Sequence, residues 1–263
     1  WHIECSCIAG KHLGEYVDLH CGGIDNAFPH HTNEIAQSEA TYGHEWCKYW
    51  FHVHHLNTNS GKMSKSKGEF LTVSLLEEKG YDPLVYRFFC MQSHYRKNLV
   101  FSWENLDNAR TAYDKLVAKI AALSADGTDK INQEAFAAGK KKFTDALDND
   151  LNTSLAVTAI YDVFKLSCND VTKLALISDF DTVMSLGLIA AADVVRNNDK
   201  KKKEEENAGV DPELLEYINS MIQARKNAKA EKNYQEADRI RVELLERGIT
   251  LIDTREGTKF KID

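Results

Sequence analysis

The longest stretch without proline is the feature that most constrains the fold of this chain. No proline stands between Pro83 and Pro212, and proline is the residue that most strongly breaks the interior of a helix. Apolar residues recur three and four positions apart in this stretch, which predicts helices with one buried face. The first such series is Leu106, Ala109, Tyr113, Leu116, Val117 and Ile120, and similar ones follow over 134–147, 153–166 and 171–187. The sequence therefore predicts an antiparallel helical bundle over residues 99–195.

A charged stretch and a small module are predicted after the bundle. Residues 196–209, RNNDKKKKEEENAG, offer no large apolar side chain that could anchor them, which favours a solvated linker. Asp211 followed by Pro212 is a helix start, and a second helix over 234–247 should end at Gly248. The closing segment ITLIDTREGTKFKI reads as a hairpin. We expect residues 210–263 to form a small α+β module.

The front of the chain, residues 1–98, has a different composition. All ten histidines precede residue 95. The segment KYWFHVHHL at 48–56 is typical of a strand, the spacing of Ser74 and Glu77 predicts a capping box, and Asp82 with Pro83 predicts another helix start. We therefore expect an α/β region here that carries the chemistry.

Composition excludes several classes of protein. A net charge of −7 argues against a non-specific nucleic-acid binder. No apolar run approaches the eighteen or so residues of a membrane span. The six cysteines show no spacing typical of a disulfide framework, which predicts reduced thiols in the cytoplasm.

Cys5, His30 and Glu34 form the first candidate site. His30 and Glu34 are four residues apart in FPHHTNEIAQSEA, where Pro29 predicts a helix start, so both side chains should share one face. Thiolate, imidazole and carboxylate are accepted zinc ligands. The alternative, from spacing alone, is a buried small cysteine beside a surface hydrogen bond.

Two further stretches are candidates for nucleotide binding. Gly22 and Gly23 follow a strand-like YVDLH and would let a ligand approach the backbone, while Asp25 could bind ribose hydroxyls. The loop GKMSKSKGEF at 61–70 places Lys62 and Lys65 where they could clamp phosphates. The alternatives are an ordinary glycine turn and an ordinary solvated basic loop.

The exact strings favour one family. Residues 62–66, KMSKS, are the signature of class I aminoacyl-tRNA synthetases. The stretches WHIECS, HCGGIDNAFPHHTNEIAQSEA, HYRKNLVFSWENLDNAR and ADRIRVELLERGITLIDTREGT closely resemble cysteinyl-tRNA synthetases. The resemblance runs through nearly the whole chain and contains several independent motifs in order.

The resemblance implies a function and a set of site residues. It implies ATP-dependent attachment of L-cysteine to tRNA(Cys) through a cysteinyl-adenylate, with one Zn²⁺ per subunit holding the substrate thiolate and Mg²⁺ accompanying ATP. The implied roles are zinc ligation by Cys5, His30 and Glu34; a cysteine pocket of Trp1, His2 and His20; ATP binding by Gly22, Gly23, Asp25 and Lys65; catalysis by Lys62 and Lys65; and tRNA contact by Arg225, Lys226 and Lys229.

The resemblance also implies the architecture and leaves alternatives. Residues 1–98 would be the second half of a Rossmann-type class I catalytic domain, 99–195 a helical anticodon-binding bundle, 196–209 a linker and 210–263 an anticodon-contacting module. The family's first half, with the HIGH motif and a fourth zinc ligand, has no counterpart here, and Thr32 replaces a family glutamate. A cysteine-adenylating ligase with an amino-sugar acceptor and a non-catalytic tRNA-binding fragment stay open as alternatives.

Overall fold

The computed structural model describes residues 1–58, 61–62, 72–124, 129–206, 211–254 and 257–262. They divide into two compact units, Trp1–Arg196 and Asn197–Asp263. Lys65 lies outside the described residues, and for Lys62 only the backbone is described. Among the helices of the described part, none is long and apolar enough to cross a bilayer.

The first unit begins with helices and short strands and continues as helices alone. Its front elements are α1 (His2–Leu13), β1 (Val17–Gly23), a 3₁₀ turn (Ile24–Asn26), a π-type turn (Ala27–His31), α2 (Thr32–Tyr42), β2 (Cys47–Val53), β3 (Leu56–Thr58), β4 (Gly61–Lys62), α3 (Val73–Glu78), α4 (Pro83–Met91) and β5 (Leu99–Phe101). The helices that follow are α5 (Trp103–Ala121), α6 (Gln133–Asp148), α7 (Thr153–Val163) and α8 (Asp170–Met184). Helix α9 (Leu188–Glu206) begins in the first unit and ends in the second.

The described strands of this unit form two small sheets. Strands β1 and β2 are parallel, with Val17 opposite Cys47 and Leu19 opposite Tyr49. Strand β3 pairs with β4 in antiparallel and with β5 in parallel orientation. The segment from β1 through α2 to β2 is therefore a crossover between parallel strands, as α/β folds require.

Most helix starts follow from local capping chemistry. The side chains of Asp82, Ser102, Asn152 and Asp211 each accept a hydrogen bond from a backbone N–H in the first turn of their helix, which satisfies donors that a helix start leaves unpaired. The predicted capping box at Ser74 is wrong. Thr72 caps α3 instead, because its hydroxyl lies 3.1 Å from the Leu75 N–H.

Helices are present where the apolar periodicity predicts them, and their core extends into the front region. All six apolar residues predicted for the buried face of α5 are buried. They belong to one apolar cluster that runs from Leu76 in α3 to Ala192 in α9. Residues 99–195 therefore share a core with α3 and α4 and do not pack as a separate body.

Residues 196–206 of the predicted solvated linker are helical. Helix α9 continues to Glu206, because lysine and glutamate are good helix formers even without apolar contacts. Its Arg196 also ties α9 to α5, since the guanidinium donates hydrogen bonds to the backbone oxygens of Ile120, Ala121 and Leu123. Backbone oxygens at a helix end commonly need partners from outside the helix, and Arg196 provides one here.

The second unit combines helices with a β-hairpin. It contains α10 (Pro212–Ala230), α11 (Tyr234–Glu246) and an antiparallel hairpin of β6 (Ile249–Thr254) and β7 (Gly257–Ile262). Ile218 of α10, Ile240 and Leu244 of α11, and Ile249 and Leu251 of β6 form its apolar core. Gly248 has a φ of 73° at the end of α11, a left-handed conformation that glycine adopts without strain.

Candidate active site

Cys5, His30 and Glu34 converge in the folded chain. Helix α1 carries Cys5, and the segment from the π-type turn into α2 carries His30 and Glu34. One potential ligand atom of each lies within 4.8 Å of the others. His30 is 6% exposed and Glu34 is fully buried. The alternative of a surface hydrogen bond between His30 and Glu34 is therefore wrong.

The helix start at this site differs from the prediction. The regular helix α2 begins at Thr32, not at Pro29, and the wider π-type turn precedes it. Phe28 has an extended backbone inside that turn, as residues before proline commonly do. His30 and His31 lie in this turn, and both are buried.

One carboxylate oxygen of Glu34 is held by a hydrogen bond, and the other has no hydrogen-bond partner. Its Oε2 lies 2.8 Å from Nε2 of His20 on β1. Its Oε1 is buried without a hydrogen-bond partner, because the nearest imidazole nitrogen, His30 Nε2, lies 3.4 Å away in a geometry that makes no hydrogen bond. A buried carboxylate oxygen without a donor is costly, and a cation among Cys5, His30 and Glu34 would satisfy it.

The two histidines predicted for the cysteine pocket orient the candidate metal ligands. His2 Nδ1 lies 2.6 Å from His30 Nδ1, which leaves His30 Nε2 facing Glu34, while His20 holds Glu34. Metal-binding histidines commonly have their second ring nitrogen fixed in this manner. Trp1 stacks on His30 with ring centroids 4.1 Å apart, so the predicted aromatic wall does border the cluster.

The thiol of Cys5 loses its proton less readily than an ordinary cysteine thiol. Burial raises the pKa of Cys5, and the nearby carboxylate of Glu34 raises it further. The thiolate needed for metal binding is therefore disfavoured until a cation neutralises the local negative charge.

Sequence reasoning missed a second histidine pair beside this cluster. His31 Nδ1 lies 2.8 Å from Nε2 of His52 on β2. Burial, with smaller contributions from the neighbouring His20, His52 and His30, lowers the pKa of His31 to about 4, so it is neutral at physiological pH. The density of histidines in FHVHH was the available signal. His20, His31 and Glu34 also satisfy the geometry of a metal-binding group.

The glycines of the predicted nucleotide site face side chains, not empty space. A Cβ added to Gly22 would lie 2.7 Å from Cε1 of His31, and one on Gly23 would lie 2.6 Å from Oδ1 of Asp25. Gly22 therefore makes room for the His31 ring. Asp25 is 3.2 Å from Nε2 of His55.

Two cavities of about 350 Å³ lie near this region. One borders the histidine cluster, because its lining includes Trp50 and His52. Its lining residues are Ile24, Trp50, His52, His54 and Arg96. The other lies away from the cluster, among residues of β2, α4 and the segment around Tyr95. The cavity beside the cluster is the one with access to the predicted chemistry.

The predicted tRNA contacts lie in the second unit and differ from one another. Arg225 is buried, and its guanidinium makes a two-pronged ion pair with Asp253 at 2.8 and 2.9 Å. Lys229 lies 3.1 Å from the same carboxylate, and Lys226 is exposed. This pairing holds the pKa of Asp253 well below its usual range. The geometry speaks against Arg225 as a phosphate contact.

Comparison with known proteins gives matches to two parts of the chain. Residues 1–111 match the tRNA synthetases class I (C) catalytic domain, and residues 211–259 match the cysteinyl-tRNA ligase anticodon binding domain. The chain belongs to the cysteinyl-tRNA synthetase family. A curated cysteine--tRNA ligase of Brachyspira hyodysenteriae is 37% identical over 99% of this chain, and cysteine--tRNA ligase 1 of Burkholderia lata is 36% identical over 98%.

This member of the cysteinyl-tRNA synthetase family spans about half the length of those relatives, since the matches cover 55% and 51% of them. Among solved structures, one similar chain is the LeuRS of Agrobacterium radiobacter K84 in a ternary complex with tRNA and LeuAMS. It has a TM-score of 0.46, is 17% identical, and the match covers 66% of this chain and 27% of that one.

Proposed function

We propose that this chain takes part in the ATP-dependent attachment of L-cysteine to tRNA(Cys). The observation that carries the proposal is the convergence of Cys5, His30 and Glu34, with one Glu34 oxygen left without a partner. This donor set fits Zn²⁺, whose accepted ligands are thiolate, imidazole and carboxylate. Bound there, zinc would supply a soft Lewis acid that prefers a substrate thiolate to a hydroxyl.

The residues around the candidate zinc ligands would define the amino-acid pocket. Trp1, stacked on His30, would form one wall. His2 and His20 would keep His30 and Glu34 in position through their 2.6 and 2.8 Å contacts. A serine differs from cysteine by a single atom, and apolar pockets discriminate such differences by only about 1–3 kcal/mol. Selection through a metal–sulfur bond avoids that limit.

The nucleotide would bind on the side of the cluster bordered by Gly22, Gly23 and Asp25. We propose that Lys62 and Lys65 meet the phosphates of ATP, with Mg²⁺, because fixed cations stabilise the charge that develops in adenylate formation. Gly22 would contribute by admitting the ring of His31, so that the β1 backbone and the histidine pair form one surface.

The rear of the chain would contact tRNA. The match to an anticodon-binding domain at 211–259 and the exposure of Lys226 support this, with Lys229 in a lesser role because it is paired with Asp253. We propose the division predicted from the sequence: a catalytic part over 1–98, a helical part over 99–195, a connecting segment over 196–209 and an anticodon-contacting module over 210–263. The free state of all six cysteines supports a cytoplasmic location.

The metal site can be tested on the chain itself. Titration with Co²⁺, a spectroscopic substitute for zinc, should give one ion per chain with a thiolate-to-cobalt absorption band. Cys5→Ser should remove the band and lower Zn²⁺ affinity by at least about tenfold, since even supporting residues of metal sites cost 10–100-fold. Cys7→Ser is the matched control, because Cys7 is an exposed thiol on the same helix and should change neither quantity.

Unchanged zinc affinity in Cys5→Ser would refute this ligand set. The reaction needs a family-length protein, so we would place this chain in the matched region of the Brachyspira hyodysenteriae relative. ATP–pyrophosphate exchange should then require cysteine, not serine, and should be lost in the Cys5→Ser version alone. ATP–pyrophosphate exchange that proceeds equally well with cysteine, with serine or with no amino acid would contradict the proposed function. Transfer of cysteine to an amino sugar, with none to tRNA, would establish the ligase alternative.

A further inference from the structure

The cavity that lies away from the histidine cluster is not used by the function proposed above. It measures about 350 Å³, and Leu56, Met91 and Leu99 line it. These three side chains are only partly buried, and each packs against the main apolar core on its other side. Small-molecule sites are concave, mostly apolar and about 300–1,000 Å³ in volume. The cavity therefore has the size and the lining of a ligand site.

The turn between α6 and α7 borders this cavity in a strained backbone conformation. Leu151 lines the cavity and is 50% exposed, so it lies where the cavity opens to solvent. Its φ is 51°, and that of Asp150 before it is 57°, in the left-handed region that a leucine rarely adopts. Such strain persists only where the surrounding structure fixes it, and it is concentrated at ligand and active sites.

Three side chains of the segment 94–96 fix this turn. His94 Nε2 donates a hydrogen bond to the backbone oxygen of Asp150 at 3.0 Å, and the Tyr95 hydroxyl donates to Oδ1 of Asp150 at 2.5 Å. The Arg96 guanidinium lies 2.6 Å from Oδ2 of the same residue. Tyr95 also stacks on Phe51 of β2, with ring centroids 4.2 Å apart. The walls are thus held together in the free chain, and such preorganisation strengthens binding.

The charges at the cavity favour an anion. None of the described residues that line it is acidic, and the ammonium of Lys97 is among them. The Lys97 side chain is exposed at this edge. His94 is neutral in this arrangement, because its Nδ1 accepts a hydrogen bond from the Arg96 N–H at 3.2 Å. The carboxylate of Asp150 in the adjoining turn is already paired with Arg96, so it does not offset the charge of Lys97.

We propose that this cavity, lined by Phe51, Leu56, Met91, Lys97, Leu99 and Leu151 and called here the Lys97 cavity, binds a small amphiphilic anion. The apolar body of the ligand packs on the leucine and methionine side chains, and its single carboxylate meets the Lys97 ammonium. A medium-chain carboxylate has this chemistry. The inference rests on the cavity, the strained turn and the charge, and it depends neither on the zinc site nor on the proposed function.

The probe for the test is octanoate, titrated into the 263-residue chain by isothermal titration calorimetry. We expect one site per chain. Hexanoate should bind roughly fifteenfold more weakly, because each buried CH₂ group contributes about a factor of four to affinity. Octylamine has the same apolar body with the opposite charge and should bind at least about tenfold more weakly than octanoate, since it meets Lys97 as a like charge. Equal affinity for octanoate and octylamine would overturn the proposal.

One substitution tests the role of the cation. Lys97→Gln should weaken octanoate binding about tenfold, the usual value of a hydrogen bond to a charged group, and should leave the affinity for uncharged octanol unchanged. Lys115→Gln is the matched control, because Lys115 is an exposed lysine on α5 that does not line the cavity. Undiminished octanoate binding in Lys97→Gln, or an equal loss in Lys115→Gln, would contradict the assignment.

A second readout locates the ligand without any substitution. The thiol of Cys90 lines the cavity and that of Cys168 does not, so saturating octanoate should slow alkylation of Cys90 at least about fivefold relative to Cys168, as mapped by mass spectrometry. The same affinity is expected when this chain is placed in the family-length protein described above. Unprotected Cys90, or loss of octanoate binding in the longer protein, would overturn the proposal, because the ligand would then sit elsewhere or the cavity would already be filled.

Discussion

Residues 1–58 and residues 72–196 belong to one compact unit but distribute their apolar side chains in opposite ways. Of the large apolar residues that are exposed in the described part, ten lie in 1–58 and seven in the more than twice as long stretch 72–196. Nearly all the largest fully buried side chains lie in the second region, and Trp46 is the exception. The helical region is stabilised by its own core, whereas the front region positions polar chemistry and leaves apolar surface outside.

The two regions also differ in how well the sequence pattern accounts for their buried residues. In 72–196 the buried positions follow the helical period and the capping residues, so pattern and structure agree. In 1–58 the buried side chains include His30, His31 and Glu34, which are expensive to bury and are retained only with specific partners. Buried polar groups held by specific partners are typical of ligand-binding sites.

The largest expected effect on stability comes from replacing one leucine of each region with alanine. Leu116→Ala should lower the free energy of unfolding by about 2–5 kcal/mol, because Leu116 is fully buried in α5 and its loss leaves a cavity. Leu19→Ala, at a site 54% exposed, should change it by less than about 0.5 kcal/mol. Urea unfolding followed by tryptophan fluorescence measures this, since all four tryptophans lie in the first unit. Similar losses in both variants would remove the contrast.

A smaller effect should appear at alkaline pH in the helical region. Burial raises the pKa of Tyr113 from 10 to about 12, and its hydroxyl donates a hydrogen bond to the backbone oxygen of Leu186. A raised folded-state pKa means that the stabilisation is complete below pH 10 and is lost as the pH rises toward 12. The loss should reach about 2–3 kcal/mol.

Urea midpoints measured between pH 9 and pH 12 would follow this loss. Tyr113→Phe should unfold more easily at pH 9, because one hydrogen bond is gone, but should lose less stability as the pH rises. A steeper slope in Tyr113→Phe would contradict the assignment.

The smallest effect concerns the packing of the front region. Gly22→Ala should destabilise the chain by about 1–3 kcal/mol, the usual cost of overpacking, because the new methyl group meets the ring of His31. Cys21→Ala, one residue away on the opposite face, is the control. The double variant with His31→Ala tests the cause, since an alanine at 31 would make room and the two effects should not add. Strict additivity would show that His31 is not the obstacle.

The helices were predictable because their signals are local. The six buried positions of α5, the start at Asp82 with Pro83 and the hairpin after Gly248 all depend on neighbours within a few residues. Ser74 was a false cap, because α3 already begins at Val73 and Thr72 accepts a hydrogen bond from the Leu75 N–H. Sequence pattern alone does not rank such competing caps.

The site was predictable only in part. Cys5, His30 and Glu34 were identified through the family motif, and the fold brings them together. The pairing of His31 with His52 joins residues twenty-one positions apart, which no local pattern reveals. The family resemblance implied Arg225 as a tRNA contact, and in the structure its guanidinium is paired with the carboxylate of Asp253 in the hairpin. In both cases the contact joins residues that are far apart in the sequence, so local patterns did not reveal it.

The Arg225–Asp253 pair has a consequence for how the second unit opens. Asp253 lies in β6, and it accepts hydrogen bonds from Arg225 and Lys229 of α10 and from Thr258 of β7. The hairpin therefore cannot peel away from α10 without exposing a buried guanidinium. We expect the amide hydrogens of β6 to exchange with deuterium together with those of α10, as one cooperative unit, and not to fray strand by strand.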